Sequence, residues 1–129
     1  MIEIRYSPPN ELDISGTADE LQTVRREILN LIESNLEQIS FAADLSVAPS
    51  PYESALVKLV VVKGECPTKI SLTDEKEIQV EGTADCLEGF ASFFDFKPDV
   101  GKGAHSHFEY YDGNEWVAPD SIPLVISVK

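Results

Sequence analysis

The chain is poor in the residues that most often build catalytic, metal or phosphate sites. Its 129 residues include two cysteines, two histidines and one tryptophan, and only 10 basic residues against 23 acidic ones, for a formal charge of −13. Phosphate binding needs clusters of lysine and arginine, so this shortage argues against nucleic acid and against an anionic membrane as partners. The acidic excess occurs in both halves of the chain. It favours either a basic protein partner or a charged surface that only keeps the protein in solution.

Long apolar runs are also absent. No stretch approaches the roughly 20 residues needed to span a bilayer, and the N-terminus lacks the basic and apolar regions of a signal peptide. Cys66 and Cys86 have neither the number nor the spacing of a disulfide framework or a metal site. The sequence therefore predicts unpaired cysteines and a reducing, cytoplasmic location.

Enzyme motifs are missing as well. The phosphate-binding frame Gly-x-x-x-x-Gly-Lys-Ser/Thr and the nucleophile elbow Gly-x-Ser-x-Gly do not occur. Carboxylates that are close in sequence carry almost no information about acid–base catalysis in so acidic a chain. We therefore predict a non-enzymatic protein with no catalytic residues and no cofactor.

What the chain does contain is a repeat of itself. The tetrapeptide Gly-Thr-Ala-Asp occurs at Gly16–Asp19 and again at Gly82–Asp85, 66 positions later. The same offset places Leu59–Lys63 over Val125–Lys129. An offset that holds across the chain predicts a tandem duplication, and recognising a repeat early matters because it determines the fold.

Each predicted copy, residues 1–63 and 67–129, has the pattern strand, strand, helix, strand. Thr17 and Thr83 follow a glycine at the strand-to-helix junction and are suitable helix N-caps, and Glu20 completes a capping box in the first copy. Apolar residues recur at helical spacing after each cap. The predicted helices are Ala18 to about Asn35 and Ala84 to about Phe96. The predicted strands are Ile2–Tyr6, Leu12–Ser15, Ser40–Val47, Ala55–Lys63, Lys69–Leu72, Glu77–Glu81, His105–Tyr111 and Pro123–Lys129.

The expected fold class follows from the size of the repeated unit. A unit of half this chain would bury a marginal core alone, whereas all 129 residues make one ordinary domain. We therefore predict a single α+β domain spanning 1–129, with a mainly antiparallel sheet and two helices packed on one face. The strand Leu56–Val62 is nearly continuous in apolar residues and is expected to lie centrally.

The two histidines lie on one predicted strand. There His105 and His107 share a face with Glu109, and two imidazoles with a carboxylate are a ligand set that transition metals use. The alternative is an exposed or edge strand with Phe108 and Tyr110 turned inwards. A metal-binding or small-molecule-binding domain is therefore the second functional hypothesis.

The segment that follows is the most distinctive candidate surface. Tyr110, Tyr111 and Trp116 lie close to Asp112 and Glu115, and the Asp-Gly pair at 112–113 is a tight-turn signal. Aromatic anchors beside acids suit protein–protein contact, so we predict these five residues as a partner-binding site. The competing interpretation is that Trp116 packs into the open end of the sheet.

The run from His105 to Val128, together with the strand-rich opening Met1–Asp19, resembles small bacterial immunity proteins of polymorphic toxin systems. The resemblance implies a cytoplasmic, single-domain, non-enzymatic protein that neutralises a cognate toxin by binding it. We therefore interpret the chain as an acidic binding protein that masks a basic toxin surface through the residues around Tyr110–Trp116. A regulatory subunit with incidental acidity remains an alternative, and an uncovered edge strand allows a symmetric homodimer.

Overall fold

The computed structural model describes all 129 residues, which form nine strands and two helices. In chain order they are β1 (Glu3–Ser7), β2 (Glu11–Gly16), α1 (Ala18–Glu33), β3 (Gln38–Ala42), β4 (Ser54–Ala55), β5 (Lys58–Lys63), β6 (Lys69–Leu72), β7 (Glu77–Gly82), α2 (Ala84–Ser92), β8 (His105–Phe108) and β9 (Leu124–Val128). Neither helix is long and apolar enough to cross a membrane.

The strands form two sheets, where the sequence predicted one. The five-stranded sheet has the order β4-β1-β2-β9-β8 and the four-stranded sheet the order β3-β5-β7-β6. Only the β2–β9 and β5–β7 pairs are parallel, and the other five pairs are antiparallel. The predicted α+β class with mainly antiparallel strands is confirmed. The predicted central position is confirmed for residues 58–62, because β5 is an interior strand of its sheet. The predicted single strand Ala55–Lys63 is corrected, since Ala55 belongs to β4 in the other sheet.

Each sheet combines strands from both halves of the chain. The hairpin β1–β2 from the first half pairs with β9 and β8 from the second, while the hairpin β6–β7 pairs with β5 and β3. One apolar cluster of 25 buried residues draws on both sheets and both helices. Neither half therefore encloses a core of its own, because the last strand of each completes the sheet of the other.

The two halves also share details of backbone pairing. Ile2 and Thr68 lie 66 positions apart, and each forms an isolated parallel bridge with a later segment, to Ala43 and Val117 respectively. Such correspondence is what a duplication predicts. Superposition of residues 1–63 on 67–129 is the measurement that tests it, and the duplication stays a prediction.

Local sequence explains where the helices begin. The Thr17 hydroxyl accepts a hydrogen bond from the Glu20 N–H at 3.1 Å, and the Glu20 carboxylate accepts from the Thr17 N–H at 2.9 Å, so the predicted capping box is present. The Thr83 hydroxyl caps α2 by accepting from the Cys86 N–H at 3.4 Å. Helix α2 ends at Ser92, earlier than predicted, where the chain turns through its C-cap residue.

The structure corrects the prediction of two unpaired cysteines. Cys66 and Cys86 are joined by a disulfide, and no free cysteine remains. The bond links the exposed junction between β5 and β6 to the first turn of α2. The pairing depends on α2 packing beside that junction, which the positions of the two residues in the sequence do not reveal.

One buried carboxyl lies in the middle of the five-stranded sheet. Asp13 is 8% exposed, and its side chain accepts hydrogen bonds only from the Ser127 hydroxyl, at 3.3 and 3.4 Å. Burial raises the pKa of Asp13 above its ordinary value, although the Ser127 hydrogen bond and the charge of Arg5 act in the opposite direction. The folded protein therefore binds a proton at Asp13 more readily than the unfolded chain does.

This raised pKa predicts a pH-dependent contribution to stability. A carboxyl whose folded pKa lies above its unfolded value favours the folded state at acid pH, and that contribution is lost as pH rises through the folded pKa. We expect Asp13→Asn, which cannot ionise, to gain stability relative to the wild type between about pH 4 and about pH 7. Urea unfolding of both proteins at the two pH values measures this. A difference in stability between the two proteins that is the same at both pH values would contradict a raised pKa for Asp13.

Candidate partner-binding groove

A surface groove of about 690 Å³ lies between helix α2, strand β8 and the loop 109–116. We call it the α2 groove. Its lining includes Glu88, Gly89, Phe93, His107, Tyr111 and Trp116. Residues of α1 complete it on one side, since Arg25 and Leu29 also contribute to the lining.

Aromatic rings form the floor of the α2 groove. The ring of Phe108 meets Phe90 and Phe93 edge to face, with centroid distances of 5.0 and 4.9 Å. The Ser106 hydroxyl donates a hydrogen bond to the Phe93 carbonyl at 2.8 Å, which ties β8 to the end of α2. Edge-to-face packing and this hydrogen bond fix the two walls relative to each other.

Asn114 holds the loop that forms the rim. Its N–H donates to the Tyr111 carbonyl at 2.9 Å, and its side-chain amide donates to the Glu109 carbonyl at 3.3 Å. Its side-chain oxygen accepts from the Trp116 N–H at 2.9 Å. The Trp116 carbonyl in turn accepts from the Thr68 N–H at 2.8 Å. The loop backbone is thus fixed at both ends, so it presents its side chains from a defined position.

Two large aromatic side chains on this rim face solvent. Tyr111 is 66% exposed and Trp116 is 58% exposed, and both line the α2 groove. The interpretation that Trp116 packs into the open end of the sheet is therefore wrong. Large aromatic residues left in water beside a groove are typical of protein-binding surfaces.

The charges around the α2 groove are mostly negative. The carboxylates of Asp85, Glu88 and Glu109 line it, against one guanidinium, that of Arg25. None of these three carboxylates takes part in any ion pair within the protein. They are therefore available to a cationic group that enters the groove.

The structure brings four of the candidate residues together and separates the rest. The four that line the α2 groove are His107, Glu109, Tyr111 and Trp116. Asp112 and Glu115 are exposed in the adjoining loop but outside the lining. Tyr110 is partly buried and packs against the core. The predicted partner-binding set is thus divided between a groove, its flanking loop and a partly buried position against the core.

The geometry lends no support to the metal hypothesis. His105 and His107 are exposed with their ring centroids 5.0 Å apart, and Nδ1 of His105 lies 3.0 Å from the Gly103 carbonyl. No three His, Cys, Asp or Glu side chains are arranged to hold a metal ion. Strand β8 is instead an edge strand with Phe108 buried, as the alternative interpretation expected. Elemental analysis of the purified protein and of a His107→Ala variant tests the metal hypothesis directly.

Sequence reasoning missed the helical wall of the groove. Glu88 and Gly89 lie on the exposed side of α2, and a Cβ built on Gly89 would meet no atom within 4 Å. A glycine inside a predicted helix, next to residues of the apolar face, was the available signal. The missing side chain of Gly89 leaves open space on the surface of α2. Only the fold places β8 and Trp116 across the groove from that position.

This open position predicts a stabilising substitution. Gly89→Ala adds a side chain into free space and reduces the conformational freedom of the unfolded chain, so we expect the free energy of unfolding to rise by about 0.5–1 kcal/mol. Urea unfolding measures the change. A loss of stability would mean that the helix backbone at this position needs glycine.

Fold and groove together define an α+β protein with an acidic surface groove that is floored and rimmed by aromatic residues. Residues 77–129 match the family model Immunity protein 32, which confirms the resemblance to immunity proteins of polymorphic toxin systems over this part of the chain. The match covers less than half of the 129 residues, and it includes β7, α2, β8, β9 and the loop 109–116. No curated protein and no solved structure matches the chain significantly.

Proposed function

We propose that this protein is a non-enzymatic immunity protein that neutralises a cognate bacterial toxin by direct binding, with the α2 groove as its binding surface. One observation carries the proposal. The residues that match the immunity family supply nearly the whole groove, including its exposed Tyr111 and Trp116 and its three unpaired carboxylates.

The proposed partner has a basic surface. A lysine or arginine side chain between Glu88 and Glu109 would gain charge-assisted hydrogen bonds there, and the aromatic rim would cover the apolar stem of that side chain. The formal charge of −13 would speed the encounter with a cationic partner. A basic toxin surface held in the groove is withheld from the toxin's own substrate, so neutralisation requires no chemistry from this protein.

Co-expression with a toxin domain taken from the genes that neighbour the gene for this protein tests the proposal. We expect the wild type to restore growth of cells that make the toxin. Gly89→Trp fills the groove and is expected to abolish the rescue, whereas Gly89→Ala, the matched control, preserves it. Affinity of the purified pair is expected to fall as salt is added, because screening weakens the charge pairs. Failure of the wild type to rescue, or full rescue by Gly89→Trp, would overturn the proposal.

The proposed role places the protein in the cytoplasm of the toxin-producing cell. Cytoplasmic reductants oppose disulfides, so we expect the Cys66–Cys86 bond seen in the structure to be reduced to two thiols in the cell. The groove does not depend on the disulfide for its rim, since Thr68 holds Trp116 through a backbone hydrogen bond. Trapping the thiols with an alkylating reagent at cell lysis, followed by mass measurement, determines their state.

A further inference from the structure

Strand β8 has one side without a partner, and that side borders the α2 groove. In the five-stranded sheet β8 is the outermost strand and pairs only with β9. His107 and Phe108 of β8 line the groove, and Glu109, the next residue, lines it as well. A free sheet edge and an acidic, aromatic groove therefore lie side by side.

The register shows which backbone groups of β8 are free. The Val128 N–H donates to the Ala104 carbonyl at 2.8 Å, and Ser106 is the Cα partner of Ile126. Because hydrogen-bonded and non-bonded pairs alternate along an antiparallel ladder, Ser106 bonds towards β9. The N–H and C=O groups of His107 then point away from β9, and no protein group accepts or donates to them.

An uncovered edge of this kind is a template for another strand. Proteins commonly protect their edges with a loop or helix, as happens at β6, where the Ile70 N–H donates to the Ser121 hydroxyl and the Ile70 carbonyl accepts from the Ile122 N–H. At β8 the side chains of His105 and His107 are exposed. The open edge of β8 is therefore accessible to a partner.

We propose that the toxin adds an extended segment to the free edge of β8 while its side chains enter the α2 groove; this rests on the function proposed above. Side chains of such a strand point alternately to the two faces of the sheet. Those on the helix side would meet the rings of Phe93 and Phe108 and the carboxylate of Glu88. The segment is therefore expected to place apolar residues and Lys or Arg on that face, with main-chain hydrogen bonds adding affinity.

Two substitutions at one position separate backbone pairing from side-chain contact. His107→Pro removes the outward N–H of β8, and proline is tolerated on a sheet edge when its N–H would face outwards. His107→Ala removes the same side chain but keeps the N–H. With the purified toxin domain as the probe, we expect His107→Pro to lose about tenfold or more in affinity beyond the loss in His107→Ala.

Amide hydrogen exchange of the wild-type protein gives a second measurement that does not depend on a variant folding. The His107 N–H is expected to exchange freely in the free protein and at least about tenfold more slowly in the complex, since a strand partner would bond it. Equal affinities of the two folded variants, or an unprotected His107 N–H in the complex, would overturn strand addition.

The outcomes also separate this inference from the function on which it rests. If Gly89→Trp abolishes rescue while the His107 N–H stays unprotected, groove binding stands and strand addition fails. If the wild type fails to rescue, the proposed function itself fails. A homodimer in solution that His107→Pro dissociates would assign the edge to a second copy of this chain and overturn the toxin as its occupant.

Discussion

Replacing Trp116 by alanine is expected to weaken binding of the proposed toxin partner by about 2 kcal/mol, or roughly 30-fold, which would make Trp116 the main anchor of the proposed interface. Trp116 is 58% exposed in the free protein and lines the α2 groove, so its large apolar surface is available for burial by a partner. Its backbone is fixed by Asn114 and Thr68, so little conformational freedom is lost on binding. Titration calorimetry with the purified toxin domain measures the loss.

Leu36→Ala is the matched control for Trp116→Ala. Leu36 is 62% exposed but does not line the α2 groove, so its removal is expected to leave the affinity unchanged. Both variants should unfold at the wild-type urea concentration, because neither side chain is buried. Wild-type affinity in Trp116→Ala would show that the partner binds elsewhere.

Replacing Phe90 by alanine is expected to destabilise the protein by about 3–5 kcal/mol, a large share of the stability of a domain this size. The side chain is fully buried, and its ring packs against Phe94 at 5.2 Å and Phe108 at 5.0 Å between centroids. Removal leaves a cavity that the neighbouring rings cannot fill, because Phe94 lies just after α2 and Phe108 on β8, both in rigid parts of the core. Urea unfolding measures the change in the free energy of unfolding.

Phe93→Ala provides the comparison for Phe90→Ala. Phe93 is only partly buried at the groove surface, although it also packs against Phe108 at 4.9 Å. Its removal is expected to cost clearly less stability, because the space it leaves opens to solvent. If Phe90→Ala cost under about 1 kcal/mol, the aromatic floor would not be a rigid part of the core.

Much of the local structure was predictable because it depends on neighbours in sequence. Thr17 and Glu20 form the predicted capping box, and Thr83 caps the second helix as expected. The strand β6 was predicted with its observed bounds, Lys69–Leu72, because alternation and turn residues act over a few positions. The predicted helix ends were less accurate. Helix α2 stops at Ser92, where the chain turns to pack against α1.

Features that join distant segments were not predictable from the single sequence. The predicted duplication aligns Leu59 with Val125 at an offset of 66. Leu59 pairs with Ile78, and Leu124 pairs with Leu12, the residue 66 positions before Ile78. If the halves are copies, strand pairing makes Leu124 the counterpart of Leu59, one position away from the sequence alignment. A shift of one residue in the register of a strand exchanges its two faces, and a short run of apolar residues does not determine that register. The Cys66–Cys86 disulfide and the second sheet were not predicted either, because each depends on contacts between segments that are distant in the chain.

The candidate site was likewise predictable only in the part that depends on residues close together in sequence. Composition and local pattern determined an acidic α+β protein whose aromatic and acidic residues concentrate around Tyr110–Trp116, since these are properties of residues near one another in the chain. The fold alone decided that Trp116 and Tyr111 stay in water opposite Glu88 and Gly89, while Tyr110 turns inwards. A groove is a relation between surfaces of separate elements, so it exists only once α2 has packed beside β8.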